Sequence, residues 1–157
     1  MYTGLLHTHS TLRWLIFGLV IYLLVKGFSG RQAGGVFTEG NRKSALFLLI
    51  FSHLQLLIGA YEWFTGPWGL KMLDNMAVGD AMKSPIHRFF LVEHPIGMLI
   101  AIVLVTVGYS RSKRATTGPE KWNALYWPLL FALVVLLVTI PWPFRMVGEG
   151  RAWLPGM

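Results

Sequence analysis

Residues 89–110, FFLVEHPIGMLIAIVLVTVGYS, contain a single charged side chain, that of Glu93. An apolar run of this length matches the roughly 20 residues that an α-helix needs to cross about 30 Å of hydrocarbon. Residues 4–27, 44–65 and 122–142 have the same character. Lipid admits only helices or closed barrels, and these runs lack the strict alternation of barrel strands. The sequence therefore predicts an all-α integral membrane protein, a four-transmembrane-helix up-down-up-down bundle.

The composition agrees with this class and narrows the chemistry. The 157 residues are 54% apolar and only 13% charged, which predicts one membrane domain. The longest connection, residues 66–88, is too short for a soluble catalytic domain, so any chemistry should lie in the bundle or at its edge. No basic region precedes the apolar part of residues 4–27, and we expect this helix to be retained. The absence of cysteine excludes disulfides, covalent haem attachment, iron–sulfur clusters and cysteine-ligated zinc.

The net charge of +7 is distributed by topology, which argues against a nucleic-acid partner. Eight basic residues flank the first and third connections: Lys26, Arg31, Arg42, Lys43, Arg111, Lys113, Arg114 and Lys121. Five lie on the opposite side: Lys71, Lys83, Arg88, Arg145 and Arg151. Short basic loops stay cytoplasmic, so both termini and the loop of residues 66–88 should face the outer side of the membrane. Anionic membrane lipids are the expected partners of the basic side.

Local signals indicate where the helices begin. Thr38 or Asn41 is a candidate N-cap for the second helix, and Gly118 with Pro119 should open the fourth. The second connection mixes apolar and charged residues irregularly. We expect it to form a short amphipathic helix that covers the outer end of the bundle.

Histidines provide the strongest functional signal. His7, His9, His53 and His94 lie in or at the edge of the apolar segments, and His87 lies just outside the third. Ionisable groups at membrane depth are costly, so each is a candidate for a site in the bundle interior. His87 follows a helix start and is expected at the interface. An interhelical hydrogen bond is the alternative for any single histidine.

Two of these histidines are expected at similar depths in the membrane. With about 1.5 Å of rise per residue, His9 should lie roughly 6 Å inside the outer boundary and His94 about 7 Å inside. The first and third helices of such a bundle can face each other diagonally, as two histidines that ligate one haem iron would require. His7 and His9 point about 200° apart in a regular helix, so only one can face such a site.

His53 should lie about 18 Å deep and has three interpretations. It could be another haem ligand, a partner of His94, or a helix-to-helix hydrogen-bonding group. The fourth helix has no histidine. A second diagonal pair is therefore not possible, and we predict one haem per chain, with His53 as the alternative ligand.

Two arginines near the outer interface, Arg88 and Arg145, are candidates to bind haem propionates, because arginine pairs with carboxylates in a bidentate manner. Arg13 lies one turn from His9 on the same face. It could pair with a propionate, with Glu62 or Glu93, or extend to the headgroups.

The segments LLHTHSTLRW, FSHLQLLIGAYEW, RFFLVEHP and IPWPFR together resemble a group of small bacterial four-helix membrane proteins labelled cytochrome b. The similarity to the larger b561-type cytochromes is limited to four helices with embedded histidines. The resemblance implies a b-type haem (heme b) and electron transfer. It also implies that certain residues occupy positions of the family pattern, namely His7, His9, Arg13, His53, Glu93, His94 and Arg145. His87 lies outside this pattern.

The sequence thus predicts a b-type cytochrome of the inner membrane, with haem b held by His9 and His94. One-electron transfer would occur near the outer face, with a quinol or within a larger respiratory complex. A bound quinone would use a histidine and Glu62 or Glu93 for its protons. A second hypothesis is a structural or assembly subunit of a respiratory or transport complex, without a cofactor. A third, a metal or proton pathway, is disfavoured because the inner half has almost no ionisable residues.

Overall fold

The computed structural model describes residues 2–149, and within them it contains helices and no strand. Arg151, one of the five basic residues of the predicted outer side, lies outside the described residues. The α-helices are α1 (Tyr2–Gly30), α2 (Glu39–Thr65), α3 (Val78–Lys83), α4 (Pro85–Arg88), α5 (His94–Arg114) and α6 (Gly118–Thr139). Residues 89–93 form a π-helical turn that joins α4 to α5, so Pro85–Arg114 is one continuous segment.

Four segments are long and apolar enough to cross a membrane: α1, α2 with its extension, Pro85–Arg114 and α6. Their outer surface is apolar as well. Val25 and Leu57 are 67% exposed and Phe131 is 59% exposed. Large apolar side chains at this density are unfavourable in water, whereas lipid accommodates them. The predicted all-α membrane fold is confirmed.

The four long helices pack in a ring, because α1 contacts α2, α2 contacts α5, α5 contacts α6, and α6 contacts α1. The first and third spanning segments therefore lie diagonally opposite each other, as the sequence predicted. Fully buried Val20, Leu48 and Leu129, from three different helices, fill the centre. The most extensive contact joins α5 and α6, where Gly108 packs against Pro128.

Helix starts follow the predicted signals. The Thr38 hydroxyl accepts a hydrogen bond from the Asn41 N–H at 3.2 Å, so α2 begins at Glu39 rather than at residue 44. Gly118 and Pro119 open α6 after a capping box formed by Thr117 and Glu120. The Thr38 cap and the capping box accept hydrogen bonds from backbone N–H groups that have no partner within the helix.

The end of α6 differs from the prediction, because the helix stops at Thr139 and not at residue 142. Ile140 is already extended, with φ −76° and ψ 133°. The residue before a proline avoids the helical region, and Pro141 follows directly. The predicted end at residue 142 followed from hydropathy, because the apolar run extends to Trp142. Hydropathy carries no information about the backbone restriction before a proline.

The helical hydrogen-bond pattern of the third spanning segment is interrupted near its start, at residues 89–95. Pro95 has no N–H, so it cannot donate to the carbonyl of Leu91 four residues earlier. The indole N–H of Trp63 on α2 donates to that carbonyl instead, at 3.1 Å. The backbone N–H of His94 donates to Phe89, five residues back, which is the π-helical pattern.

The second connection contains a 3₁₀ turn (Leu70–Asp74) and the short helix α3. Met72 and Ala81 are buried together with Leu91 of the π-helical turn. The expected single amphipathic helix is thus two short helical pieces, and they cover the end of the bundle that holds the ends of α2 and α6.

Candidate functional site

His9 and His94 meet at this covered end. Their ring centroids are 6.4 Å apart and the ring planes are inclined by 54°. The two residues belong to diagonally opposed segments, and the similar depth expected for them is the reason they face each other. A metal ion held by one nitrogen of each ring, at about 2 Å from each, would separate the centroids by roughly 6 Å.

His94 is fixed by a hydrogen bond to α6. Its Nδ1 lies 2.7 Å from the carbonyl oxygen of Thr139. A carbonyl can only accept, so Nδ1 carries the proton and, in the neutral ring, Nε2 carries the lone pair. This arrangement, in which one ring nitrogen donates to the protein, is typical of histidines that ligate metals through the other.

The carbonyl of Thr139 is available because the chain after α6 is rich in proline. Pro143 has no N–H that could bond to it, and Pro141 likewise leaves Leu137 without its helical donor. The indole of Trp142 donates to Leu137 at 2.9 Å, and the Arg145 guanidinium donates to Val138 and Ile140. Side chains, including His94, therefore satisfy the last carbonyls of α6.

His9 packs against one face of α2. The Gln55 amide donates to the His9 backbone carbonyl at 3.0 Å. One turn further on, a Cβ at Gly59 would lie 3.0 Å from the imidazole Cε1 of His9, so glycine provides the space for the ring. Glu62 completes this face, with its Oε2 3.5 Å from His9 Nδ1.

Three polar atoms on this face are buried and have no hydrogen-bond partner within residues 2–149: His9 Nδ1, Gln55 Oε1 and Glu62 Oε1. Buried polar atoms are paired in the large majority of cases, with protein, water or ligand. The side chains of His9 and Glu62 are 20% and 12% exposed. The surroundings of His9 are therefore suited to polar ligands or ordered water, unlike the rest of the apolar interior.

The three candidate arginines have different surroundings. Arg88 donates to the Glu93 carboxylate at 2.7 Å and to the Met82 carbonyl, on the exposed side. Arg145 uses its guanidinium on the end of α6 and lies 5.5 Å from the Phe89 ring centroid. Arg13 is partly buried, one turn from His9, with its guanidinium 5.3 Å from the Trp14 ring. Of the three arginines, only Arg13 lies on the same helix as His9, one turn further along α1.

The other three histidines are not brought to this site. His7 is exposed on α1. His53 is also exposed, and its Nδ1 bonds to the Leu49 carbonyl of its own helix at 2.8 Å. His87 stacks on Trp68 with a centroid distance of 6.0 Å. The prediction that only one of the first two histidines faces the interior is confirmed, and that residue is His9.

The donor set determines which cofactors fit. No group of three or more His, Asp or Glu side chains arranged for a metal ion occurs among residues 2–149. A metal bound by protein side chains alone normally needs three or four. A haem needs only one or two ligands from the protein, because its macrocycle supplies the others. The two facing histidines are a donor set that such a group could use.

Sequence reasoning missed two residues that form this site, Thr139 and Gly97. A Cβ at Gly97 would overlap the methyl group of Thr139, so glycine permits the approach of α5 and α6 that brings His94 to the Thr139 carbonyl. Two signals were present in the sequence. The spacing of Pro141 and Pro143 leaves carbonyls of α6 without donors, and a glycine lies three residues after His94.

No protein-family model matches this chain, and comparisons with curated proteins and with solved structures find no match. The candidate site therefore depends on the chemistry and geometry of the residues themselves.

Proposed function

We propose that this chain is a membrane-embedded b-type cytochrome, in which His9 and His94 would hold one haem b. The observation that carries the proposal is the meeting of these two rings, 6.4 Å apart, across the bundle diagonal. A haem b bound there supplies an iron that accepts and returns one electron. The two histidines hold the group, and the helices around them exclude water.

The protein environment gives the two ligands different roles. The Thr139 carbonyl orients the His94 ring, which leaves Nε2 as the ligating atom. When it is ionised, the Glu62 carboxylate near His9 Nδ1 would place negative charge behind the other ligand. Negative charge in this position favours the more positive, oxidised state of an iron centre and makes the ligand more basic.

Electron transfer near the outer face of a bacterial inner membrane is the setting of this proposal, because the site lies at the end of the bundle opposite the two basic connections. A membrane quinol is the proposed electron donor, and a larger respiratory assembly is the proposed context. The unpaired oxygens of Gln55 and Glu62 beside His9 support a quinol, because they can accept hydrogen bonds from its hydroxyl groups.

A potentiometric titration of the haem absorbance in the purified protein tests whether the haem takes up one electron. We expect a single component that follows the curve of a one-electron couple. A purified protein that holds haem but is not reduced by a short-chain quinol would remove the quinol from the proposal. Two components of different potential would contradict a single haem.

The substitution Glu62→Gln tests the role of the carboxylate behind His9. It preserves the shape of the side chain and removes the negative charge, so we expect haem to be retained and its midpoint potential to rise by tens of millivolts. A shift of roughly 59 mV corresponds to a tenfold change in the relative stability of the two oxidation states. The potentiometric titration described above measures it.

Glu93→Gln is the matched control for this substitution. Glu93 precedes His94 directly, but its carboxylate is exposed and paired with Arg88. Exposed charges are screened by salt, so the potential should change much less than in Glu62→Gln. Equal shifts in both variants would show that the two carboxylates act only through the overall charge of this end of the bundle.

The hydrogen bond from His94 to Thr139 also favours the second candidate, a structural subunit without a cofactor. In that case His94 would act as an interhelical hydrogen-bonding group at the end of α6. A protein that folds normally and binds no haem would support this second candidate.

A further inference from the structure

The opposite end of the bundle contains a cavity of about 130 Å³ between α2, α5 and α6. A water molecule takes about 30 Å³ of liquid volume, so the cavity has room for roughly four waters or for one group of phosphate size. Its lining combines the start of α2, the end of α5 and the start of α6. Three spanning helices thus contribute to one concave site at the level where the helices leave the apolar layer.

The charges that line this cavity are mainly positive. Arg42, Lys113 and Lys121 are cationic, and Glu39 is the one acidic member of the lining. Glu39 is already paired with Arg42 through two contacts of 2.7 and 2.5 Å. Within residues 2–149 neither lysine forms an ion pair. The cavity lining therefore includes two lysines that form no ion pair with a carboxylate of the described residues.

Hydroxyl groups and aromatic rings complete the lining. Ser112 is only 4% exposed, and Tyr109 and Thr38 also contribute to the walls. Behind them, Phe37 packs edge-on against Trp122 at a centroid distance of 4.8 Å, and the Trp122 indole donates to the Val36 carbonyl at 3.0 Å. These contacts attach the first connection to the start of α6, next to the cavity.

We propose that this cavity binds the phosphate of an anionic phospholipid headgroup. Ammonium and hydroxyl donors around a cavity are the chemistry that recognises a phosphate. A lipid is the source favoured by the position, because Lys113 and Lys121 lie at the ends of spanning helices, where headgroups are located. Basic pockets between spanning helices on the cytoplasmic side bind acidic lipids in this way. Eight basic residues near the first and third connections attract the same leaflet.

The test measures thermal unfolding of the purified chain in a neutral detergent while short-chain phosphatidylglycerol is added. Phosphatidylcholine of the same chain length and inorganic phosphate at the same ionic strength are the comparison ligands. We expect phosphatidylglycerol alone to raise the Tm in a saturable manner. A lysine near an anionic lipid contributes about fivefold in affinity. The double variant Lys113→Gln/Lys121→Gln should therefore need a roughly 30-fold higher lipid concentration for half-saturation.

Arg111→Gln/Arg114→Gln is the matched control, because it removes the same charge from the same end but from residues outside the cavity lining. Exposed charges that do not contact the ligand are weakened by salt, so the lipid concentration for half-saturation should change by less than about threefold. Equal losses in the two double variants would overturn the proposal in favour of diffuse attraction. An equal effect of inorganic phosphate would identify a free-anion site instead of a lipid site, and no shift with any ligand would eliminate the site.

Discussion

Replacing His9 or His94 by alanine is expected to abolish the binding of haem b by this chain. Each substitution removes one of the two imidazole rings that lie 6.4 Å apart. Loss of a residue that merely supports a metal ligand costs roughly 10–100-fold in affinity, and loss of a ligand should cost at least about 100-fold. The measurement is the haem content per chain after purification, together with the spectrum of any haem that remains.

His7→Ala and His53→Ala are matched controls. His7 lies on α1, the helix of His9, and His53 lies on α2, which contacts both α1 and α5. Both residues are exposed, and the His53 ring bonds only to its own helix in the contact described above. Both variants should retain full haem content and an unchanged spectrum. Loss of haem in His53→Ala with retention in His9→Ala would contradict the assignment of His9.

His9→Ala is the more informative of the two ligand variants. His94 also bonds to the end of α6, so His94→Ala loses a hydrogen bond with a net value of about 1 kcal/mol in addition to the ligand. The His9 ring forms no hydrogen bond to another helix within residues 2–149, although its Nδ1 lies 3.5 Å from the Glu62 carboxylate of α2. A His9→Ala protein with unchanged far-ultraviolet circular dichroism and no haem would therefore separate cofactor binding from folding.

Gly97→Ala is expected to destabilise the bundle and to disturb the position of His94. The new Cβ would overlap the methyl group of Thr139, so α5 and α6 would have to separate at this point. Overpacking of this kind costs about 1–3 kcal/mol, which is as large as or larger than the roughly 1 kcal/mol that alanine gains in helix propensity. Unfolding in mixed micelles with increasing sodium dodecyl sulfate, followed by circular dichroism, measures the change.

Gly18→Ala is the control for this substitution. Gly18 is also within a spanning helix, but a Cβ added there meets nothing within 4 Å. Its stability should be unchanged or increase by up to about 1 kcal/mol. If Gly97→Ala behaved in the same manner as Gly18→Ala, the close approach of α5 and α6 would not be what positions His94.

Sequence reasoning predicted the fold class, the diagonal relation of the first and third spans, and the pairing of His9 with His94. Hydropathy and helical rise are sufficient for these predictions, because depth and direction in a straight helix follow from residue number. The cap at Thr38 and the start at Gly118 were also predictable from local signals. The end of α6 was predicted three residues too late, since the effect of Pro141 on the preceding backbone is independent of hydropathy.

The surroundings of the two histidines were harder to predict. His53 was expected deep in the membrane, and depth alone does not decide whether a side chain faces the bundle or the lipid. Arg88 and Arg145 were expected to contact a cofactor, but their guanidinium groups bond to Glu93 and to the end of α6. These contacts depend on how α4, the π-helical turn and the chain after α6 fold back, which no periodicity in the sequence encodes.

The central claim is tested most directly by the absorbance spectrum of the detergent-purified chain, first air-oxidised and then reduced with dithionite. A pyridine haemochrome assay on the same sample gives the number of haem groups per chain. The account predicts the split bands of six-coordinate b-type haem and one haem per chain. A protein that is colourless, and stays colourless after expression with added haem, would contradict the account and leave a structural subunit as the better explanation.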